Sequence, residues 1–568
     1  MLWSKFAAWS VWERRPGALF GLCAVTLLGS LLLGGGTHGG FLSDAILALI
    51  AIPAFLIAFV SLLALLRTKR TDSRLTLALI LCVAIVLLPL FQLLPLPPWI
   101  WTKLPNREEF VAIFSLLGRE LPWMPISVAP NATWVSMLSL LPPLAIFFST
   151  VQLDYDERRS MTLIVLGMGV VAAFVGLIQV AQGPSSPLRF FADANFKDFE
   201  AVGFFANRNH FATLMYTLLP FAAAWTADVA FTVGPWRDRK SLETTSIATL
   251  TAGFLVLVVL VTADILTRSR AGLALMIVAA FAALALPIAD RRRPTGLTPI
   301  KLALVTGVLL VLLIVQFGLY RVYEKFSVDT LADARVAFAR NTIEAAKAYM
   351  PFGSGVGTFV PVYQMFEPPQ DIIANVYANH AHNDFLEIWL EGGGLSLIVL
   401  AAFVVWLARS SAQIWWRIPD NARSLDVLLA RAATIAVPLV LAHSVVDYPL
   451  RTGGIMAVFA LCCALLIEPL TKARNDMKLR ARMAEEKGRE HPRQASALQV
   501  SLPAPQTEVA PKRAKAAPNP PDAVSKPAEV APRQAEVGSP QDGAAKKPPT
   551  QPRQLWGEDI EWPEEWRK

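Results

Sequence analysis

The stretch Phe352–Ser396, FGSGVGTFVPVYQMFEPPQDIIANVYANHAHNDFLEIWLEGGGLS, sets a histidine-bearing polar segment against the start of a long apolar run. It holds two of the chain's six histidines, a glycine-rich turn, and acidic residues that enter the apolar run. Outward from it on both sides, the chain reads mainly as apolar runs long enough to cross a bilayer. Hydrophobic residues make up 54% of the 568 positions, more apolar surface than one soluble domain can hide. The fold class that follows is an all-α polytopic membrane protein.

Hydropathy predicts about twelve spans, each near the ~20 residues a helix needs. They lie near 17–35, 43–66, 75–95, 132–151, 161–181, 209–231, 246–266, 272–289, 301–320, 385–407, 427–447 and 452–469. Basic residues then orient them. Clusters at Lys5/Arg14/Arg15, Arg67/Lys69/Arg70/Arg74, Arg158/Arg159, Arg237/Arg239/Lys240, Arg291/Arg292/Arg293 and Arg409/Arg417/Arg423 fall in alternate loops, so all land on one side with the tail. The positive-inside rule makes that side cytoplasmic and puts both termini there. The net charge of +8 therefore reads as topology, not as a nucleic-acid footprint. The amino terminus shows no persuasive cleavage site and reads as an uncleaved first helix. Cys23, Cys82, Cys462 and Cys463 all sit inside apolar runs and read as small buried hydrophobes.

Three longer segments fall on the outer, periplasmic side. About 96–131 mixes Trp99, Trp101, Phe110, Phe114, Leu116, Leu117 and Trp123 with charges and is expected along the membrane interface. About 182–208 ends in GFFANR. The long loop of about 321–384 contains an amphipathic helix, ADARVAFARNTIEAAKAYM, stopped by Pro351. These spans and loops make residues 1–470 the membrane domain. From 471 a charged helical stub leads into a Pro-, Ala-, Lys- and Gln-rich segment that cannot bury a core, so 471–568 is expected to be a mostly disordered cytoplasmic tail. Its end, LWGEDIEWPEEWRK, reads as a docking motif for a cytoplasmic partner or equally as a solvated terminus.

Ionisable groups at membrane depth are costly and so mark function. Arg268 and Arg270, in LTRSRAG, sit on a very short external turn. They could snorkel and cap the helix, or present two guanidinium forks to a phosphate. Arg335 and Arg340 lie on the amphipathic helix, preceded by Arg321 and Lys325; a solvated face is the plain reading, and Arg340 could instead face the site beside Asn341. The turn at Gly353, Gly355 and Gly357 allows a sharp reversal or a close approach to a ligand. For His380 and His382, with Asn383 and Asp384, three readings stay open: a catalytic base, a hydrogen-bonded helix cap, and a metal site. Glu387 and Glu391 share a helix face with Asn383. His443 and Asp447, four residues apart, are expected to pair with each other, with Arg451 beyond them as a wall of the same cavity.

Five pieces in order, GFFANRNHFA, LTRSRAG, the arginine-bearing helix leading to PFGSGVGTF, HAHNDFLEIWLEGGG and HSVVDYPLRTG, resemble the O-antigen ligase/polymerase superfamily of membrane glycosyltransferases. They cover roughly 200–455. The resemblance implies a GT-C-like helical enzyme needing no metal or other cofactor. It also implies transfer of a glycan from a polyprenyl pyrophosphate to an acceptor glycolipid or a second lipid-linked glycan, on the outer face of the bacterial cytoplasmic membrane. By the same resemblance His382 is the base and Arg270 holds the pyrophosphate. Arg268, Arg340, Arg208, Asn383 and His380 are further substrate contacts, and His443 and Asp447 give support. The chain departs from the family at Ser396, where a glycine is common. Ligase and polymerase differ only in acceptor. The rivals from other classes are a transporter of lipid-linked glycans, which predicts broken spanning helices, and a membrane scaffold.

Overall fold

The structure, a computed structural model, describes residues 17–37, 42–68, 72–191, 199–232, 244–288, 307, 330–372, 377–416 and 423–470. The expected span at 301–320, the clusters at 5–15, 69–70, 237–240 and 291–293, Arg321, Lys325, Arg417 and the tail from 471 lie outside these residues. Sixteen helices account for most of the described chain. They are α1 (Ala18–Leu33), α2 (Leu42–Thr68), α3 (Ser73–Gln92), α4 (Pro98–Trp101), α5 (Glu108–Leu116), α6 (Pro130–Leu138), α7 (Leu141–Thr150) and α8 (Tyr155–Gln182). There follow α9 (Arg208–Thr232), α10 (Thr244–Leu266), α11 (Arg270–Ile288), α12 (Thr330–Ala348), α13 (Phe359–Phe366), α14 (Asp384–Trp416), α15 (Ser424–His443) and α16 (Gly453–Leu465). Among the described residues a short antiparallel ladder joins β1 (Pro95–Leu96) to β2 (Met124–Pro125).

The protein is an all-α polytopic membrane protein. Among the described residues, seven helices are long and apolar enough to cross a bilayer: α2, α3, the α6–α7 pair, α8, α10, α14 and α15. Three more, in α1, α11 and α16, are apolar but shorter. Leu49, Val60, Ile80, Val83, Leu255, Val278 and Ile398 stand exposed along these helices, a continuous apolar exterior that only lipid satisfies.

Helix α9, which is not among these apolar helices, occupies the centre. It packs on α8, α10, α11 and α15, and Phe211, Leu214, Met215, Tyr216, Leu218 and Leu219 are all buried. Because protein surrounds it, α9 can carry Asn209, His210 and Thr213 where a lipid-facing helix could not.

The two ends of the bundle are chemically distinct. At one end Arg74 donates to Leu466 O, Arg158 to Ile467 O, and Arg159 pairs with Asp426. The described members of the predicted basic clusters gather there, at the starts of α3, α8 and α15 and the close of α14. At the other end lie the histidines of the opening stretch, the turn between α10 and α11, and the first turn of α9.

The 96–131 segment presents part of its aromatic and apolar set on the surface. Trp99, Ile113, Leu116, Leu117 and Trp123 are exposed, but Trp101 is buried and its indole donates to Pro122 O at 2.8 Å, pinning the loop.

Candidate functional site

Helix α14 begins where the loop HAHN closes. Asn383 caps it, its Oδ1 accepting from Phe385 N and Leu386 N at 3.0 Å each, while its Nδ2 donates to Val445 O at 2.8 Å. On the other side of His382, Glu387 reaches back to accept from Ala381 N at 3.0 Å. His382 is therefore held from both neighbours, in a left-handed conformation with φ 49°. Such a backbone costs on the order of 1–3 kcal/mol in a side-chain-bearing residue and persists only where its surroundings impose it.

The His382 ring stacks on Phe338 at 5.8 Å and meets the edge of Tyr448 at 4.9 Å. Its Nδ1 lies 3.0 Å from Asp447 Oδ1. Since a carboxylate only accepts, Nδ1 carries the proton and donates it, leaving Nε2 with its lone pair. Among the described residues no hydrogen bond occupies Nε2. Asp447 is fully buried and takes a second bond from Asn209 Nδ2 at 2.6 Å. Burial disfavours its charge, but the hydrogen bond from His382 and its electrostatic attraction to the surrounding histidines prevail and hold the carboxyl well below the usual carboxylate range. A fixed anion that orients an imidazole is the arrangement of a general base.

His380 is arranged differently. Its Nδ1 faces Glu387 Oε1 at 2.8 Å and its Nε2 faces Thr37 O at 3.1 Å. Both partners are acceptors, so both nitrogens donate and the ring is an imidazolium with no lone pair for a substrate proton. Burial opposes that charge, and Glu387 outweighs it and raises the pKa above the ordinary histidine value. The two loop histidines thus face different carboxylates and do not converge. Of the three sequence readings, the geometry gives His382 the base-like arrangement and His380 the structural one.

A buried ionic cluster supports the loop. Arg451 Nη1 lies 2.7 Å from Glu391 and 3.5 Å from Glu387, and its Nε lies 3.8 Å from Asp384. All three carboxylates are at most 2% exposed. Burial disfavours the guanidinium charge, but the three carboxylates more than compensate and raise its pKa above the ordinary arginine value. Asp384 also accepts from Ser444 Oγ at 2.7 Å. Glu387 and Glu391, which share a helix face with Asn383, both meet this arginine.

The glycine turn has the same purpose. Its carbonyl and amide partners belong to a break in α14, where Gly393 adopts φ 60° and ψ −149°. Ser354 N donates to Leu390 O and Gly355 N to Glu391 O, each at 3.0 Å, and Gln92 Nε2 donates to Glu391 O at 2.8 Å. Ser396, where the resemblance led one to expect glycine, donates its hydroxyl to Ile388 O and Gly393 O at 2.8 Å. The close approach that the glycines allow is thus to the protein's own backbone.

One expected pair does not form. The side chain of His443 does not meet Asp447; its Nδ1 lies 2.9 Å from Tyr216 OH and 3.0 Å from Thr213 Oγ1, on α9. The i,i+4 spacing fails because α15 ends at His443 and the chain turns, leaving a backbone bond from Asp447 N to His443 O in its place.

The arginines share this end of the molecule. Arg268 is half-buried with φ 55°, and Ser269 caps α11 through Gly272 N at 3.0 Å, so the SRAG turn is a helix start. Arg270 is the first residue of α11. Gly272 packs on Ala212 of α9, one turn from the Asn209 that holds Asp447. Arg208 pairs with Glu200 at 2.5 Å. Arg340 is mostly exposed and pairs with Asp371 at 2.5 Å. Arg335 lies three residues before Phe338, on the helix face that stacks on His382, and within electrostatic reach of His443. No ion pair engages Arg335 among the described residues. The sequence offered a solvated face only as the plain reading for Arg335 and assigned no role to Asn209, Phe338, Tyr448 or Gln92. Asn209 lies in GFFANRNH and Tyr448 in HSVVDYPLRTG, two stretches that stood out in the sequence.

No curated protein matches this chain. The O-antigen ligase family model matches residues 255–413, which include LTRSRAG, the glycine turn and HAHND but end before Asp447. Over that domain the chain is similar to the O-antigen ligase family, and the helical membrane fold and the ordered motifs on either side support its likeness to the O-antigen ligase/polymerase superfamily.

Proposed function

We propose that this protein is a membrane glycosyltransferase that joins a glycan from a polyprenyl-pyrophosphate donor to an acceptor hydroxyl, as an O-antigen ligase or an O-antigen or exopolysaccharide polymerase. The observation that carries the reading is the His382–Asp447 pair, strained and clamped at the arginine-rich end of the bundle. His382 Nε2 takes the proton of the acceptor hydroxyl as its oxygen attacks the anomeric carbon. The bond from that carbon to the pyrophosphate oxygen breaks, the configuration inverts, and polyprenyl pyrophosphate leaves. Arg268, Arg270 and Arg335 balance the charge that grows on the leaving group, a task for which planar guanidinium forks suit phosphate. Arg208 and Arg340, each held by a carboxylate, serve the glycan; His380, Asn383, His443 and Asp447 hold the base in place. In this reading residues 1–470 form the membrane domain with the site on the periplasmic side of the bacterial inner membrane, and 471–568 a cytoplasmic tail open to a partner.

The break in α14 is the one observation that favours a transporter of the same lipid-linked glycans. Its freed carbonyls are bonded to Ser354, Gly355, Gln92 and Ser396 and do not line a path, which favours the enzyme.

The test is the glycan profile of cells lacking the protein, complemented with wild type or His382→Ala. Single repeats on the acceptor without long chains indicate a polymerase, and long lipid-linked chains that are never transferred indicate a ligase. An unchanged profile in both strains overturns the reading.

A further inference from the structure

At the end of the bundle remote from His382, the starts of α8 and α15, the last turns of α14 and the residues after α16 enclose a cavity of about 260 Å³. At ~1.5 Å per residue, α8 alone places it about 40 Å from the other end. Arg74, Arg158 and Arg159 line it together with Asp72, Asp426 and Glu468.

Two of the three arginines are matched. Arg159 grips Asp426 with two bonds, of 2.7 and 2.9 Å, and Arg74 lies 2.7 Å from Asp72 and 3.5 Å from Glu468. Arg158 has no such partner. Its Nε and Nη1 donate to the main-chain carbonyls of Thr150 and Ile467, at 2.9 and 2.5 Å. Its Nη2 is buried with no partner among the described residues, and the residue is only 4% exposed. A buried cation with no carboxylate in contact is costly, and an anion would relieve it. The carboxylates of Asp72 and Glu468 are 41% and 45% exposed, so negative charge sits at the rim and positive charge within. Leucine and isoleucine side chains complete the wall.

We propose that this cavity binds the headgroup of a phosphoethanolamine phospholipid. The phosphate pairs with the Arg158 guanidinium, the ammonium meets Asp72 and Glu468 at the rim, and the acyl chains leave along the apolar wall. The volume lies below the ~300 Å³ at which whole small-molecule sites begin, which suits a headgroup whose chains stay in the bilayer. The site is independent of the transfer proposed at His382, and either can fail without the other.

The experiment is native mass spectrometry of the full-length protein, delipidated in detergent and titrated with phosphatidylethanolamine, phosphatidylglycerol or inorganic phosphate. Wild type is expected to retain one phosphatidylethanolamine, at least about tenfold more tightly than phosphatidylglycerol. Ala430→Trp, which fills the cavity and leaves Arg158 in place, is expected to lose that preference. Arg158→Gln is expected to lose it too, and because Arg158 also ties two helix ends, the Ala430→Trp result decides if Arg158→Gln fails to fold. Equal retention in Ala430→Trp, binding of phosphate without lipid, or lipid bound only after removal of 471–568 would each overturn the proposal.

Discussion

At the residue scale, the site depends on what Asp447 does to His382. Asparagine at 447 keeps the shape but removes the anion that fixes the Nδ1 proton. Asp447→Asn is expected to insert normally and to lower glycan transfer by about 10²- to 10⁴-fold, the usual range for a lost base, measured in membrane vesicles with the lipid-linked donor. His380 yields a stability prediction with a definite sign. Burial opposes its charge, Glu387 overrides burial, and the folded pKa is raised. A raised histidine contributes stability that is fully present below the unfolded value of about 6.5 and is lost as pH rises through the folded one. Thermal unfolding in detergent should therefore weaken toward alkaline pH, and Glu387→Gln should flatten that decline. An equal slope in both proteins would refute the imidazolium assignment.

At the element scale, the break in α14 and the glycine turn form one joint. A Cβ on Gly353 would lie 2.3 Å from Glu391 O at a φ of +77°, so neither the backbone nor the space admits it. Gly394, inside α14, has ordinary contacts of 3.7 Å or more. Gly353→Ala is expected to cost about 2 kcal/mol or more, and Gly394→Ala to be nearly neutral, read as shifts in unfolding midpoint. Arg451 joins the turn after α15 to α14 through three buried carboxylates. Arg451→Met strands them, and by about 3–5 kcal/mol is expected to deplete the folded protein in membranes. A normal yield of active Arg451→Met would mean that the cluster does not hold the loop.

At the scale of the whole molecule, the two ends of the bundle should be accessible from opposite sides. Trp416 is 82% exposed at the basic end and Val445 is 53% exposed beside the site. Of the native cysteines, three are buried and Cys82 is half-buried, so the background to single-cysteine labelling is low. In intact cells an impermeant thiol reagent should modify Val445→Cys and spare Trp416→Cys, and inverted vesicles should reverse the pattern. Labelling of both from one side would refute the topology.

The helical membrane class was legible in the sequence, since the cost of leaving backbone groups unpaired in lipid forces long apolar runs and confines charge to their ends. Eleven of the twelve expected spans coincide with helices or a helix pair, and the remaining one lies outside the described residues. HAHND and LTRSRAG stood out for the same reason: polar groups beside apolar runs are rare. What the tertiary structure alone decided is pairing. Spacing along one helix suggested His443 with Asp447, yet the turn after α15 carries Asp447 to a histidine 65 residues earlier in the chain. His380 and His382 differ by one residue and are told apart only by Thr37, Glu387 and Asp447, which the chain brings from three places. Local sequence dictates which residues can lie in lipid or at its edge; which charge meets which is set by contacts between distant segments, and no local pattern encodes them.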